Sequence, residues 1–403
     1  MWLSVWNFST IISATIPDSP AIFFMPMSVS TLFRRAFAVL ALSAALSAGA
    51  YENTSTEIFN PRFQTLKVYK DNAFLEPPVV RLGSGEYVTI SFDEIGEDYS
   101  ELQWRLIHCN ADWQPSRLME SEYLDGFNLA DIEDYGFSTG TFIHYVNYRF
   151  TVPSENMNPL RSGNYLVQVF NRYEPDETIL QARLQISDMK AFIDGYASGR
   201  TDMGINTEFQ QAAFTIALDP SLNINPYQDL IVTIEQNGRP ETLRKLMRPL
   251  RVNGSKLTYE SMPELIYPAS NEYRRFETVR VGYPGMGVDS TLYVGPNYHA
   301  WLQTALPRAG RSYEYDVTQR GRFKIDEYNA TDPDLGADYI TVHFSLDAPD
   351  ITNADIYVDG EFTHNLFSER NRMKFNPASN LYELEMPLKQ GSYNYQYVVK
   401  PHK

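Results

Sequence analysis

Tyr87-Val88-Thr89-Ile90-Ser91-Phe92 alternates apolar and small polar residues with a period of two. That period lines up one side of an extended strand and scatters the same side chains around a helix. The signature recurs at 165–170, 230–234, 339–344 and 393–397, with Gly, Pro, Asn and Asp clustered between the runs. Tyr and Phe, 27 and 23 of them, fall mostly where strands need bulky, half-buried side chains. Long amphipathic helices are nearly absent, and only 240–247 reads as two helical turns. Many short strands punctuated by turns predict an all-β chain of tandem β-sandwich, immunoglobulin-like domains.

The beginning of the chain reads as an export signal. Residues 25–50 carry Arg34-Arg35, an apolar run at 36–46 and small residues before Tyr51. This is the layout of a signal peptide, with an apolar core too short to span a bilayer. Residues 1–24 are apolar and aromatic with Asp18 as their one charge, and read as a gene-model artefact preceding a start at Met25 or Met27. The remainder divides into 51–188 and 189–335, the latter closed by a turn-rich linker at 331–336. Residues 336–403 form a partial C-terminal immunoglobulin-like domain, expected to lack a terminal strand pair and so to leave a sheet edge open.

Cys109 is the one cysteine, so no internal disulfide can form and stability has to come from packing. No cysteine lies near the expected cleavage point to carry a lipid anchor, and no further run of about 18 apolar residues predicts membrane insertion. The formal net charge of −16 and the lack of a basic stripe disfavour nucleic acid and anionic lipid as partners.

Rare residue types concentrate in Ile107-His108-Cys109-Asn110-Ala111-Asp112-Trp113-Gln114-Pro115-Ser116. Neighbours on an extended segment point to opposite faces, so His108 and Cys109 do not converge on one ion; with Asp112 and Trp113 they read as a structural corner. No Gly-x-Ser-x-Gly elbow is present, and Cys109 reads as a small buried group. The acidic clusters Asp93-Glu94 to Glu97-Asp98 and Asp131 to Asp134 read as solvated loops rather than a hydrolytic carboxylate pair. In Asn271-Glu272-Tyr273-Arg274-Arg275-Phe276 the arginines can pair with carboxylates, either as a structural tie or as a partner contact. Tyr298-His299-Ala300-Trp301 reads as a strand whose aromatic face belongs to the core. No catalytic, cofactor-binding or metal-binding set emerges, and no small-molecule substrate is expected.

Several ordered blocks resemble one family. The 108–116 run, Glu122-Tyr123-Leu124-Asp125-Gly126-Phe127, Asp134-Tyr135-Gly136-Phe137-Ser138, Ser162-Gly163-Asn164-Tyr165, Gln236-Asn237-Gly238-Arg239, the 271–276 block and 389–397 are similar to plug proteins of the type 9 secretion system of Bacteroidota. The resemblance implies a non-enzymatic periplasmic subunit that seals a giant outer-membrane β-barrel translocon, its expected partner. It also implies an immunoglobulin-like third domain extending beyond the 393–397 strand, where this sequence stops at Lys403. The alternative is a periplasmic or surface glycan-binding β-sandwich module, which would use exposed aromatic side chains. Candidates for partner contact or structural motif are His108, Asp112, Trp113, Glu272, Arg274, Arg275 and Phe276.

Overall fold

Strands make up nearly all of the regular structure in the computed structural model, which describes residues 10–15, 53–71, 73–246 and 248–402. All five alternating segments form strands, Val88–Ile95, Gly163–Asn171, Ile231–Gln236, Tyr339–Leu346 and Gly391–Pro401, with Tyr87 and Leu230 just before their first residues. The α-helices among the described residues, Glu120–Tyr123 and Pro333–Gly336, have four residues each. The two helical turns expected at 240–247 are instead a 3-10 turn, Pro240–Thr242, followed by the strand Arg244–Leu246. That strand pairs with Ile231–Gln236 and buries Leu246, burial the short polar segment could not gain as a free helix.

The first sandwich packs one sheet, ordered Phe63–Lys70, Val88–Ile95, Tyr145–Val152 and Asp134–Phe137, against another. The second is ordered Glu57–Ile58, Glu174–Ser187, Gly163–Asn171, Leu102–Cys109 and Ala130–Asp131. Trp104 from one sheet stacks on Phe150 from the other at 4.7 Å, inside a core of Ile90, Phe92, Leu106, Tyr148 and Val167. The next unit is smaller. Phe214, Ile216, Val232, Ile234, Leu257 and Tyr267 fill it, between a sheet built on Phe209–Leu218 and another built on Ile231–Gln236. Thr10–Thr15 lies antiparallel along Ile231–Gln236, while the rest of 1–24 and the expected signal peptide at 25–50 lie outside the described residues.

The last sandwich draws on more of the chain than the sequence suggests. Its core joins Phe276, Ala300, Leu302, Phe323 and Ile325 to Val342, Phe344, Val358, Met386 and Tyr393. Residues 276–325 thus pack with 337–395, whereas the sequence reading groups them with 189–267. The cause is a crossover: Asn297–Leu302 pairs parallel with Tyr339–Leu346, a non-local contact that periodicity does not reveal. Gly391–Pro401 pairs with Arg274–Glu277, Phe323–Ile325 and Ala354–Asp359. The expected linker at 331–336 is not extended. It contains Pro333–Gly336, capped by the Asp332 carboxylate and laid against the first sandwich.

Candidate functional site

Val88–Ile95 is buried along both faces. Val88, Ile90 and Phe92 point into the first core, and the opposite side carries Thr89, Ser91 and Asp93 toward the last sandwich. Asp93 Oδ2 accepts from Lys389 Nζ and from the Tyr339 hydroxyl, both at 2.7 Å, and Oδ1 accepts from Asn147 Nδ2 at 2.8 Å. The two charges are almost completely buried, with side-chain exposures of 0% and 1%. Lys389 also donates to the Asp334 carbonyl at 2.7 Å and stands 4.0 Å from the centre of the Tyr145 ring. Burial pushes the Lys389 ammonium below its ordinary pKa, against the pull of Asp93.

Further polar contacts surround this pair. The backbone N–H groups of Phe142 and Ile143 donate to the Asp338 carboxylate at 2.7 and 3.1 Å. The Tyr145 hydroxyl donates to the Ala337 carbonyl at 2.7 Å. Lys67 and Arg149 both pair with Asp334. Burial pulls the Asp334 carboxyl upward, but Lys67, Lys389 and Arg149 outweigh it and hold the group below its ordinary value. The first and last sandwiches are therefore joined through a buried polar network, in which Arg149 Nε alone of the named groups is left without a hydrogen bond. Asp93 and Glu94, expected in a solvated loop, are fully buried. Glu94 accepts from the Tyr148 hydroxyl and from Ser100 Oγ, both at 2.6 Å.

The candidates from the sequence lie in two separate places. In the first sandwich, His108 Nδ1 meets Ser116 Oγ at 2.9 Å and its ring stands edge-on to Tyr165 at 5.1 Å. Gly163 makes room for it. Its φ of +151° lies in a region that favours glycine, and a Cβ there would come within 2.5 Å of His108 Nε2. Trp113, in the left-handed region at φ 65°, lies 4.3 Å from the Arg183 guanidinium, while Asp112 is exposed and accepts from the Gln114 N–H at 3.1 Å. His108 and Trp113 thus anchor the two sides of a turn closed by the Asn110 N–H on the Gln114 carbonyl.

Cys109, beside them, is buried, and burial pushes its thiol up to about 12. A disulfide reagent such as DTNB should therefore label the native chain at pH 8 at least ~100-fold more slowly than the urea-unfolded chain. Equal rates of thionitrobenzoate release would contradict an inert thiol.

The second group fastens the 303–322 segment to the last sandwich. Glu272 accepts from the Tyr313 hydroxyl at 2.6 Å and from Thr318 Oγ1 at 3.1 Å. Arg274 donates to the Leu306 carbonyl and lies 5.5 Å from the Tyr397 ring centre. Arg275 grips Asp316 with two hydrogen bonds of 2.9 Å. Phe276 is in the core, stacked on Tyr393 at 5.0 Å.

Exposed aromatic residues gather at two sheet edges. Tyr135 and Phe137 lie on the edge strand Asp134–Phe137, with Tyr99 stacked on Tyr135 at 4.8 Å. Leu292, Tyr293 and Val294 are on the edge strand Val288–Val294, and the half-exposed Phe142 ring reaches Tyr293 at 5.2 Å. Such edges offer unpaired backbone groups beside apolar surface, as strand-adding partners require. Among the described residues no three His, Cys, Asp or Glu side chains gather into a metal-binding group.

The polar joint escaped the sequence reading, although one signal pointed to it: the alternation beginning at Val88 runs through Asp93, and no Gly or Pro stands before Gly96, which argues against a loop at 93–94.

Comparison with known proteins agrees with this architecture. The model of the type 9 secretion system plug protein 1st domain matches residues 63–188, nearly the whole first sandwich. A crystal structure of a hypothetical protein from Parabacteroides merdae superposes with a TM-score of 0.84 at 34% identity, covering 87% of this chain and 88% of that one. The alkylpurine DNA glycosylase AlkC of Pseudomonas fluorescens overlaps over 31% of this chain and 30% of its own at 11% identity, and its TM-score of 0.18 indicates no common fold. No curated protein sequence matches. With the match placed on the sandwich that carries the His108 corner and the Asp93 side of the polar joint, residues 63–188 are identified as a type 9 secretion system plug protein 1st domain.

Proposed function

We propose that this protein is a non-enzymatic periplasmic plug that closes the mouth of the giant outer-membrane β-barrel of the type 9 secretion system. The family match carries the reading. A plug needs shape and stiffness rather than a reactive centre, and two features suit that task. The Asp93–Lys389 joint makes the first and last sandwiches resist relative motion, because separating them would strand buried charges. The aromatic edges at Tyr135–Phe137 and Leu292–Val294 supply a docking surface that does not require membrane insertion.

Affinity purification of the tagged, processed chain from native outer membranes tests the proposal. A single very large β-barrel should co-elute, and should be lost when Phe142 and Tyr293 are both replaced by serine. If no barrel is retained while the chain binds a polysaccharide column, the plug reading fails and a glycan-binding module takes its place.

A further inference from the structure

The outward face of the last sandwich brings two imidazoles together. Asn297–Leu302, Tyr339–Leu346 and Leu381–Lys389 are consecutive strands of one sheet, in a register that sets Trp301 opposite His343 and His343 opposite Glu385. Ala300, Leu302, Val342 and Phe344 occupy the core side, so His299, Trp301 and His343 face outward, contrary to the expectation that this aromatic face belongs to the core. His299 Nδ1 lies 2.8 Å from His343 Nε2. On its far side, His343 Nδ1 lies 3.3 Å from Glu385 Oε1. The Trp301 indole stacks on the His343 ring at 4.5 Å, tilted by only 11°, and holds it in plane.

Glu385 stands at ion-pair distance from His343 Nδ1, while His299 Nδ1 and His343 Nε2 face each other across one shared proton, carried by either ring. A carboxylate beside one nitrogen of an imidazole whose other nitrogen faces a second donor is the arrangement that orients histidine ligands toward metals. Zinc sits about 2.0–2.1 Å from each imidazole nitrogen, so a tetrahedral pair needs nitrogens roughly 3.3 Å apart. Small rotations of two outward-facing rings supply that widening. As the ion enters, the proton shared by the two facing nitrogens moves to the far nitrogen of the ring that carries it, so both imidazoles stay neutral. Glu383 and Glu385 add favourable charge nearby. Burial, together with His299, lowers the His343 pKa against the pull of these two carboxylates. Imidazole donors suit Zn2+, Ni2+ and Cu2+ better than Mg2+ or Ca2+.

We propose that His299 and His343 form an open, two-histidine site for a borderline divalent metal ion, oriented by Glu385 and completed by water. This inference is independent of the plug reading. Titration calorimetry of the full processed chain with ZnCl2 should show one site of micromolar affinity. The H299Q/H343Q variant should weaken it at least ~10-fold, and E385Q by up to about tenfold. Glu385 is exposed while Trp301 covers much of His343, so circular dichroism without metal should show each variant folded before its titration, and E385Q should keep the parent thermal midpoint. A second readout uses the indole: Cu2+ should quench part of the tryptophan fluorescence in the parent chain, and W301F should lose that component while still binding Zn2+. Zinc binding that survives H299Q/H343Q, or no binding below millimolar zinc, would overturn the proposal.

Discussion

Replacing Lys389 by methionine should destabilise the folded chain by about 3–5 kcal/mol, since the Asp93 carboxylate would remain buried without its counter-charge. Tyr339 and Asn147 would still donate to Asp93, but two neutral hydrogen bonds do not replace an ammonium in a site from which water is excluded. The double replacement K389M/D93L should recover most of the loss, because apolar groups of similar volume remove both desolvation penalties. Urea denaturation followed by far-ultraviolet circular dichroism measures the cycle. A K389M loss below about 1 kcal/mol would mean that the joint is hydrated in solution and does not lock the two sandwiches.

Phe276→Ala should cost a similar amount, about 3–5 kcal/mol, for a different reason. The ring is fully buried, stacked on Tyr393 at 5.0 Å and set edge-on to Phe344 and Tyr395 at 5.7 Å, so truncation empties the centre of the last core. Its neighbour gives a control within the same block. Arg275→Ala breaks a partly exposed pair with Asp316, and should cost no more than about 1 kcal/mol. Thermal denaturation of the two variants therefore separates core from surface within a motif that the sequence presents as a unit. Comparable losses would show that the aromatic cluster relaxes around the missing ring.

The strands were legible because period-two alternation is a local property, and Val88, Ile90 and Phe92 carry it within six residues. The family was legible for a related reason: Trp113 in a left-handed turn and Gly163 beside His108 satisfy local geometric demands with unusual residue types. The polar joint was not legible. Thr89, Ser91 and Asp93 have the same spacing whether water or another domain covers them, and a buried polar face differs from a wet one only in its distant partners. Long-range topology hid in the same way. Nothing near Asn297–Leu302 announces a parallel neighbour that begins at Tyr339. The outward turn of His299 and Trp301 followed from that same crossover, which decides which side of the strand faces the core.

The separation of Asp93 and Lys389 along the chain, 296 positions, constrains how the molecule is made. All strands of the first sandwich are present by Ser187, so that unit can collapse while the rest is still being synthesised or translocated. Its Asp93 face must then wait, wet and with Asn147 but neither Lys389 nor Tyr339 as a partner, for the last core strands to arrive. Closure over so long a loop is slow, and the waiting surface is a natural target for a holding chaperone.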